Sequence, residues 1–225
     1  MLKKIFKILI PFIFIPGLVA AGALLLGDRS YSFVIIAVAV MALLFFAMSF
    51  ERKQARARTM VIVAVMTTLS VLGRLVFAWI PAFKPITAIV IITAIYMGGE
   101  SGFLVGVMSA AVSNLFFGQG PWTPLQMLSW GLIGLIAGYL AQPLRRSRVL
   151  LVIYGVFAGV LFSFVMDVWT VLWFSEGFSW QLYLASLAAA VPYTIGYVLG
   201  NVVFLLVLTR PIGEKLERIK LKYRC

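Results

Sequence analysis

Arg74 and Asp167 are the residues of this sequence with the strongest chemical demands, because each stands inside a long apolar run, 60–80 and 149–174 respectively. An ionisable group at such depth is costly unless it faces a partner or a polar cavity. The pair can form a structural ion pair, or both can meet a polar ligand in a pocket. At about 1.5 Å of rise per helical residue, Arg74, Asp167, Asn114 and Gln126 all lie within about 12 Å of the same end of their respective runs. The six tryptophans, Trp79, Trp122, Trp130, Trp169, Trp173 and Trp180, fall in that same half. A one-sided interfacial belt accounts for some of them, and the others are placed to stack on or cover a flat ligand. Between two of the runs, the segment Phe116-Phe117-Gly118-Gln119-Gly120-Pro121-Trp122-Thr123-Pro124 sets an amide and turn-forming residues among aromatics. The candidate binding residues are therefore Arg74, Lys84, Asn114, Phe117, Gln119, Trp122, Gln126, Trp130, Asp167 and Trp173.

What is missing narrows the chemistry. Histidine is absent and the one cysteine is Cys225, which excludes His/Cys metal sites, histidine-based triads and a disulfide framework. No GxxxxGK[ST] loop is present, so the chain does not bind ATP in the P-loop manner. Asp167 is the only acid well inside a run, leaving a paired-carboxylate mechanism without its second member. Glu100, at the start of a run, reads as a helix cap. Neither a cofactor nor enzymatic turnover is expected.

The elements that must position these residues are membrane helices. The 225 residues are 63% apolar and 12% charged, whereas a soluble domain is about half apolar and a quarter charged. Eight runs fit the spanning template of about 20 apolar residues: 5–26, 31–49, 60–80, 86–97, 101–117, 124–141, 149–174 and 180–209. The fold class is thus an all-α integral membrane protein with eight transmembrane helices. The first run is too long, and too soon followed by a second, to be a cleaved signal peptide, so it is expected to remain. The fourth is short and bracketed by Pro85 and Gly98, which makes it either a helix tilted under cover of its neighbours or a partial span.

A net charge of +12 would point to nucleic acid in a soluble protein, but here the bases crowd short loops. With the N-terminus inside, every Lys and Arg except Arg29, Arg74 and Lys84 is cytoplasmic, as the positive-inside rule requires. Both termini are then cytoplasmic, the polar and tryptophan-rich half faces out, and no nucleic-acid partner is implied. The chain divides into two leading helices (1–50), a basic cytoplasmic linker (51–59), a six-helix unit (60–209) and a basic cytoplasmic tail (210–225). Small residues four apart, such as Gly102, Gly106 and Ala110 or Gly134 and Gly138, make smooth faces for close helix packing. Ala64 and Thr68 make a shorter version near the cytoplasmic end of the third run, where a helix of another protein could dock or the bundle itself could pack.

Residues 60–209 resemble the substrate-binding S component of an energy-coupling factor (ECF) vitamin transporter. The resemblance is carried by the arginine-containing helix 60–80, the loop Ile80-Pro81-Ala82-Phe83-Lys84-Pro85, the turn Met97-Gly98-Gly99-Glu100-Ser101-Gly102 and the run from Ser113 to Pro124. That last run is most similar to the cobalamin-type group. The resemblance implies a non-enzymatic subunit that captures a vitamin, cobalamin or a related corrinoid, and associates with a transmembrane coupling subunit and two cytoplasmic ATPases. It also implies that Ala64 and Thr68 face the coupling subunit, although the family places an alanine where Thr68 stands. The two leading helices lie outside the six-helix unit. An ion-coupled secondary carrier and an intramembrane enzyme are the rival readings; the first lacks a visible inverted repeat and has only Asp167 as a coupling carboxylate.

Overall fold

The structure, a computed structural model, describes residues 9–25, 31–48, 53–175 and 178–223. Among these, regular structure is helical throughout. A π-helical turn Ile10–Phe14 leads into α1 (Ile15–Leu25), followed by α2 (Tyr31–Met48), α3 (Lys53–Val76), α4 (Ile86–Met97), α5 (Gly99–Phe117), α6 (Thr123–Tyr139), α7 (Ala141–Arg146), α8 (Arg148–Phe174) and α9 (Trp180–Tyr223). Segments of α2, α3, α5, α8 and α9 are long and apolar enough to cross a membrane, and Ile10–Gly22 and Ile86–Met97 are shorter apolar helices. The all-α membrane architecture read from the sequence is the one found.

Boundaries shift where local chemistry overrides the apolar run. α3 stops at Val76 because Ala78 and Ile80 donate their N–H groups to Leu75 and Phe77, three residues back, which turns the chain. The basic stretch is helical from Lys53, and Thr59 within it is buried. After Tyr139 the chain bends at Leu140 and continues as α7.

The short fourth run is a helix under cover. Every residue of α4 from Ile86 to Ile95 is buried, as expected of a helix apolar on all sides, and it packs against α3, α5, α6 and α9. Gly98, at φ 102°, ends it; this left-handed backbone lets α5 begin at once in the opposite direction. The most extensive contact is between α5 and α6. Glycine makes it possible: a Cβ at Gly106 would lie 2.5 Å from the Trp130 carbonyl group, and one at Gly134 would lie 2.5 Å from the Gly102 carbonyl carbon. The two backbones therefore touch without side chains between them.

α1 and α2 lie against α6, and α2 also against α5, where Phe45 meets Phe103 edge-on at 5.3 Å. At the opposite extreme of the chain, α9 has 44 residues, about 66 Å of helix, far beyond a hydrocarbon core of about 30 Å. Its last turns fold against the basic end of the bundle. Arg145 pairs with Glu217 and stacks its guanidinium 4.7 Å from the Tyr96 ring, while Lys220 donates to the Tyr96 carbonyl at 3.3 Å.

Candidate functional site

The polar residues converge at the end of the bundle that carries the 77–85 and 118–122 loops. Arg74, in the last turn of α3, donates through Nη1 to Ser113 Oγ and to Asn114 Oδ1 at 2.8 Å on α5. Its guanidinium lies 4.5 Å from the Phe117 ring centroid and 5.5 Å from that of Trp130, within cation–π range. Asn114, 1% exposed, passes the network on by donating to Thr123 Oγ1 at 2.8 Å and Gln126 Oε1 at 2.7 Å at the start of α6. One amide thus joins three helices.

A cavity of about 90 Å³ opens beside this network, lined by Arg74, Lys84, Thr87, Gln126, Trp130, Phe162, Tyr197 and Asn201 with Ala82 and Ile86. Trp130 is held by Nε1–H donation to Thr87 Oγ1 at 3.2 Å and stacks on Phe162 at 4.8 Å with an interplanar angle of 11°. Tyr197 meets Phe162 edge-on at 5.1 Å. The result is a corner of three aromatic rings with cations, amides and a hydroxyl around it. Such a mixture suits a small molecule with a flat apolar body and polar substituents. Lys84 also secures the loop over the cavity, because its ammonium donates to the carbonyls of Phe77, Ala78 (3.1 Å) and Ile80 (2.6 Å).

The structure sorts the sequence candidates. Arg74, Lys84, Gln126 and Trp130 line the cavity, with Asn114 and Phe117 directly behind Arg74. Gln119 turns inward instead, donating to the Ala111 carbonyl at 2.7 Å. Trp122 has its ring against Gly120. Asp167 is buried and does not line the cavity; its Oδ2 has no hydrogen-bond partner among the described residues. It does not pair with Arg74: the ion pairs of the described residues include Arg145–Glu217 and Arg210–Glu214, and neutral oxygens take the Arg74 guanidinium. Trp173 belongs to α8, but its side chain lies outside the described residues.

Thr87, Phe162, Tyr197 and Asn201 complete the walls and are absent from the sequence candidates. Asn201 carried a usable signal, being a lone amide in an apolar run like Asn114. The aromatics carried none, since Phe and Tyr in a spanning run read equally as lipid-facing.

A family model described as ECF-type riboflavin transporter, S component, matches residues 54–216. The match takes in every wall of the cavity and leaves α1 and α2 outside. The chain is 30% identical over 146 residues to a UPF0397 protein of Aliivibrio salmonicida (strain LFI1238), covering 61% of this chain and 75% of that protein. It is 33% identical over 98 residues to a UPF0397 protein of Aliivibrio fischeri (strain MJ11), covering 41% of this chain and 52% of that protein. No solved structure matches it. The matched description does not support the cobalamin-type subgroup, and it denotes a transporter component, not an enzyme. With the match running from the first turns of α3 into the last turns of α9, the chain belongs to the family of ECF-type riboflavin transporter S components.

Proposed function

We propose that this chain captures a vitamin outside the cell and delivers it through a transmembrane coupling subunit powered by two cytoplasmic ATPases. The observation that carries the reading is the aromatic and polar cavity at the loop end, inside the segment matched by the family. The loop end faces out in this reading and both termini face the cytoplasm, supported by the crowding of Lys and Arg at the other end.

The ligand is a compact flat vitamin of riboflavin size rather than a corrinoid. The cavity, about 90 Å³, is smaller than a vitamin ring system, and binding in this reading shifts the 77–85 loop, which supplies Ala82 and Lys84 to its wall. A tricyclic ring needs the loop lifted and the rings of Trp130, Phe162 and Tyr197 eased apart. A corrinoid needs the helices themselves separated.

On the flank of α3, Ala64 and Thr68 are exposed in an apolar groove with Leu43 of α2 and Met108 of α5. The Thr68 hydroxyl donates back to the Ala64 carbonyl at 2.9 Å, so its polar group is satisfied within α3. We place the coupling subunit in this groove. In cells, vitamin uptake by this chain should require the coupling subunit and ATPases, and should fall at least tenfold without them. Concentrative uptake by the chain alone in liposomes under an ion gradient would instead establish a secondary carrier.

A further inference from the structure

Two cations line the cavity and, among the described residues, no carboxylate does. Among the described residues, neither Arg74 nor Lys84 has an ion-pair partner. Arg74 gives its hydrogen bonds to a hydroxyl and an amide oxygen, and Lys84 gives its bonds to three backbone carbonyls. Neutral acceptors satisfy donors but leave the net charge in place, and like charges repel more strongly in a medium less polar than water. Burial, and after it the charge of Arg74, holds the Lys84 ammonium below its ordinary value, the direction expected for a cation that lacks an anion. Asp167 does not supply one: it is outside the cavity lining.

A third source of positive potential comes from the backbone. Ile86 and Thr87, the first two residues of α4, line the cavity. Pro85 at the cap provides no side-chain acceptor for the first N–H groups, so the positive end of a 12-residue helix opens on the same space. Helix N-termini with a nearby Arg and Lys favour anions.

We infer that the vitamin taken by this cavity carries a negative group, a phosphate or carboxylate, that seats against Arg74, Lys84 and the N-terminal end of α4. The inference rests on the capture reading and narrows its substrate class: the flat body belongs to the aromatic corner and the anion to the cationic side. Neutral analogues are poorer ligands, and cationic ones poorer still.

Matched pairs of flat-ringed compounds test it by calorimetric titration of the full chain in detergent: riboflavin 5′-phosphate against riboflavin, and nicotinate against nicotinamide, with thiamine as the cationic probe. The anionic member of at least one pair should bind at least tenfold tighter than its neutral partner. Arg74→Gln should shrink that ratio below threefold, and Arg74→Lys should preserve most of it; if the glutamine variant does not fold, Lys84→Gln should shrink the ratio in its place. A neutral member or thiamine binding as tightly as the anions overturns the inference while leaving vitamin capture intact. Failure of every probe to bind overturns both. Added phosphatidylglycerol should not displace the phosphate ligand; displacement would make a lipid headgroup the occupant and refute a vitamin anion.

Discussion

Asn114 accepts from Arg74 and donates to Thr123 and Gln126, all from a position 1% exposed. Removing its amide strands Gln126 Oε1, which costs about 1–3 kcal/mol when no water reaches it, and takes one further bond each from Arg74, which keeps Ser113, and Thr123, which keeps the Gly120 N–H at 3.3 Å. Asn114→Ala should therefore lower stability by about 2–4 kcal/mol, read as a large fall in thermal midpoint in detergent. Gln119→Ala is the control. Its amide makes a single bond, to the Ala111 carbonyl, and its Oε1 is already without a partner among the described residues, so the change should cost less than about 1.5 kcal/mol. Equal losses in the two variants would refute the network. The sequence exposed Arg74, Asn114, Gln126 and Trp130 because polar or tryptophan side chains at membrane depth need a reason. Phe162 and Tyr197 needed none, and Gln119 and Trp122 were indistinguishable from cavity residues until the 118–122 turn was folded inward.

At the scale of the helices, the joint between α5 and α6 sets the position of Trp130. A methyl group at Gly106 would press on the Trp130 carbonyl itself, and backbone cannot yield as a flexible side chain does. Gly106→Ala should cost about 1–3 kcal/mol and weaken vitamin binding together with stability, because the wall of the cavity moves. Gly17→Ala in α1, with nothing within 4 Å of its new methyl group, should be neutral or stabilising by up to about 1 kcal/mol. Thermal unfolding and titration of both variants check the contrast. The glycine spacing announced smooth faces but not which faces would meet, since close approach depends on the crossing of two particular helices. Likewise, the apolar run 86–97 announced a helix but not its surroundings; α4 is a 12-residue apolar helix covered by its neighbours on all sides. Helix from Lys53 and onward to Tyr223 was hidden by charge, which marks where a membrane ends but not where hydrogen bonding does.

Across the whole molecule, Arg145, Arg146 and Arg148 stand at the end of the bundle where α6 finishes, and the cavity lies toward the opposite end, where the 77–85 loop supplies part of its wall. In a Cys225→Ser background, Trp79→Cys should react with a membrane-impermeant thiol reagent in intact cells, since Trp79 is 79% exposed in the loop after α3. Ser147→Cys, between α7 and α8, should react only after permeabilisation. Reversal of that pattern would turn the cavity toward the cytoplasm and end its role in capture from outside.

The most direct measurement is equilibrium binding of riboflavin, riboflavin 5′-phosphate and cobalamin to the purified full chain, repeated on Trp130→Ala and Trp122→Ala variants shown to remain helical and monodisperse. One of the two flavins should bind at 1:1 and more tightly than cobalamin. Trp130→Ala should weaken it at least tenfold, about 1.4 kcal/mol, whereas Trp122→Ala, whose ring lies on Gly120, should change it less than threefold. Wild type that binds neither flavin, or an affinity untouched by Trp130→Ala and lost in Trp122→Ala, would contradict the account.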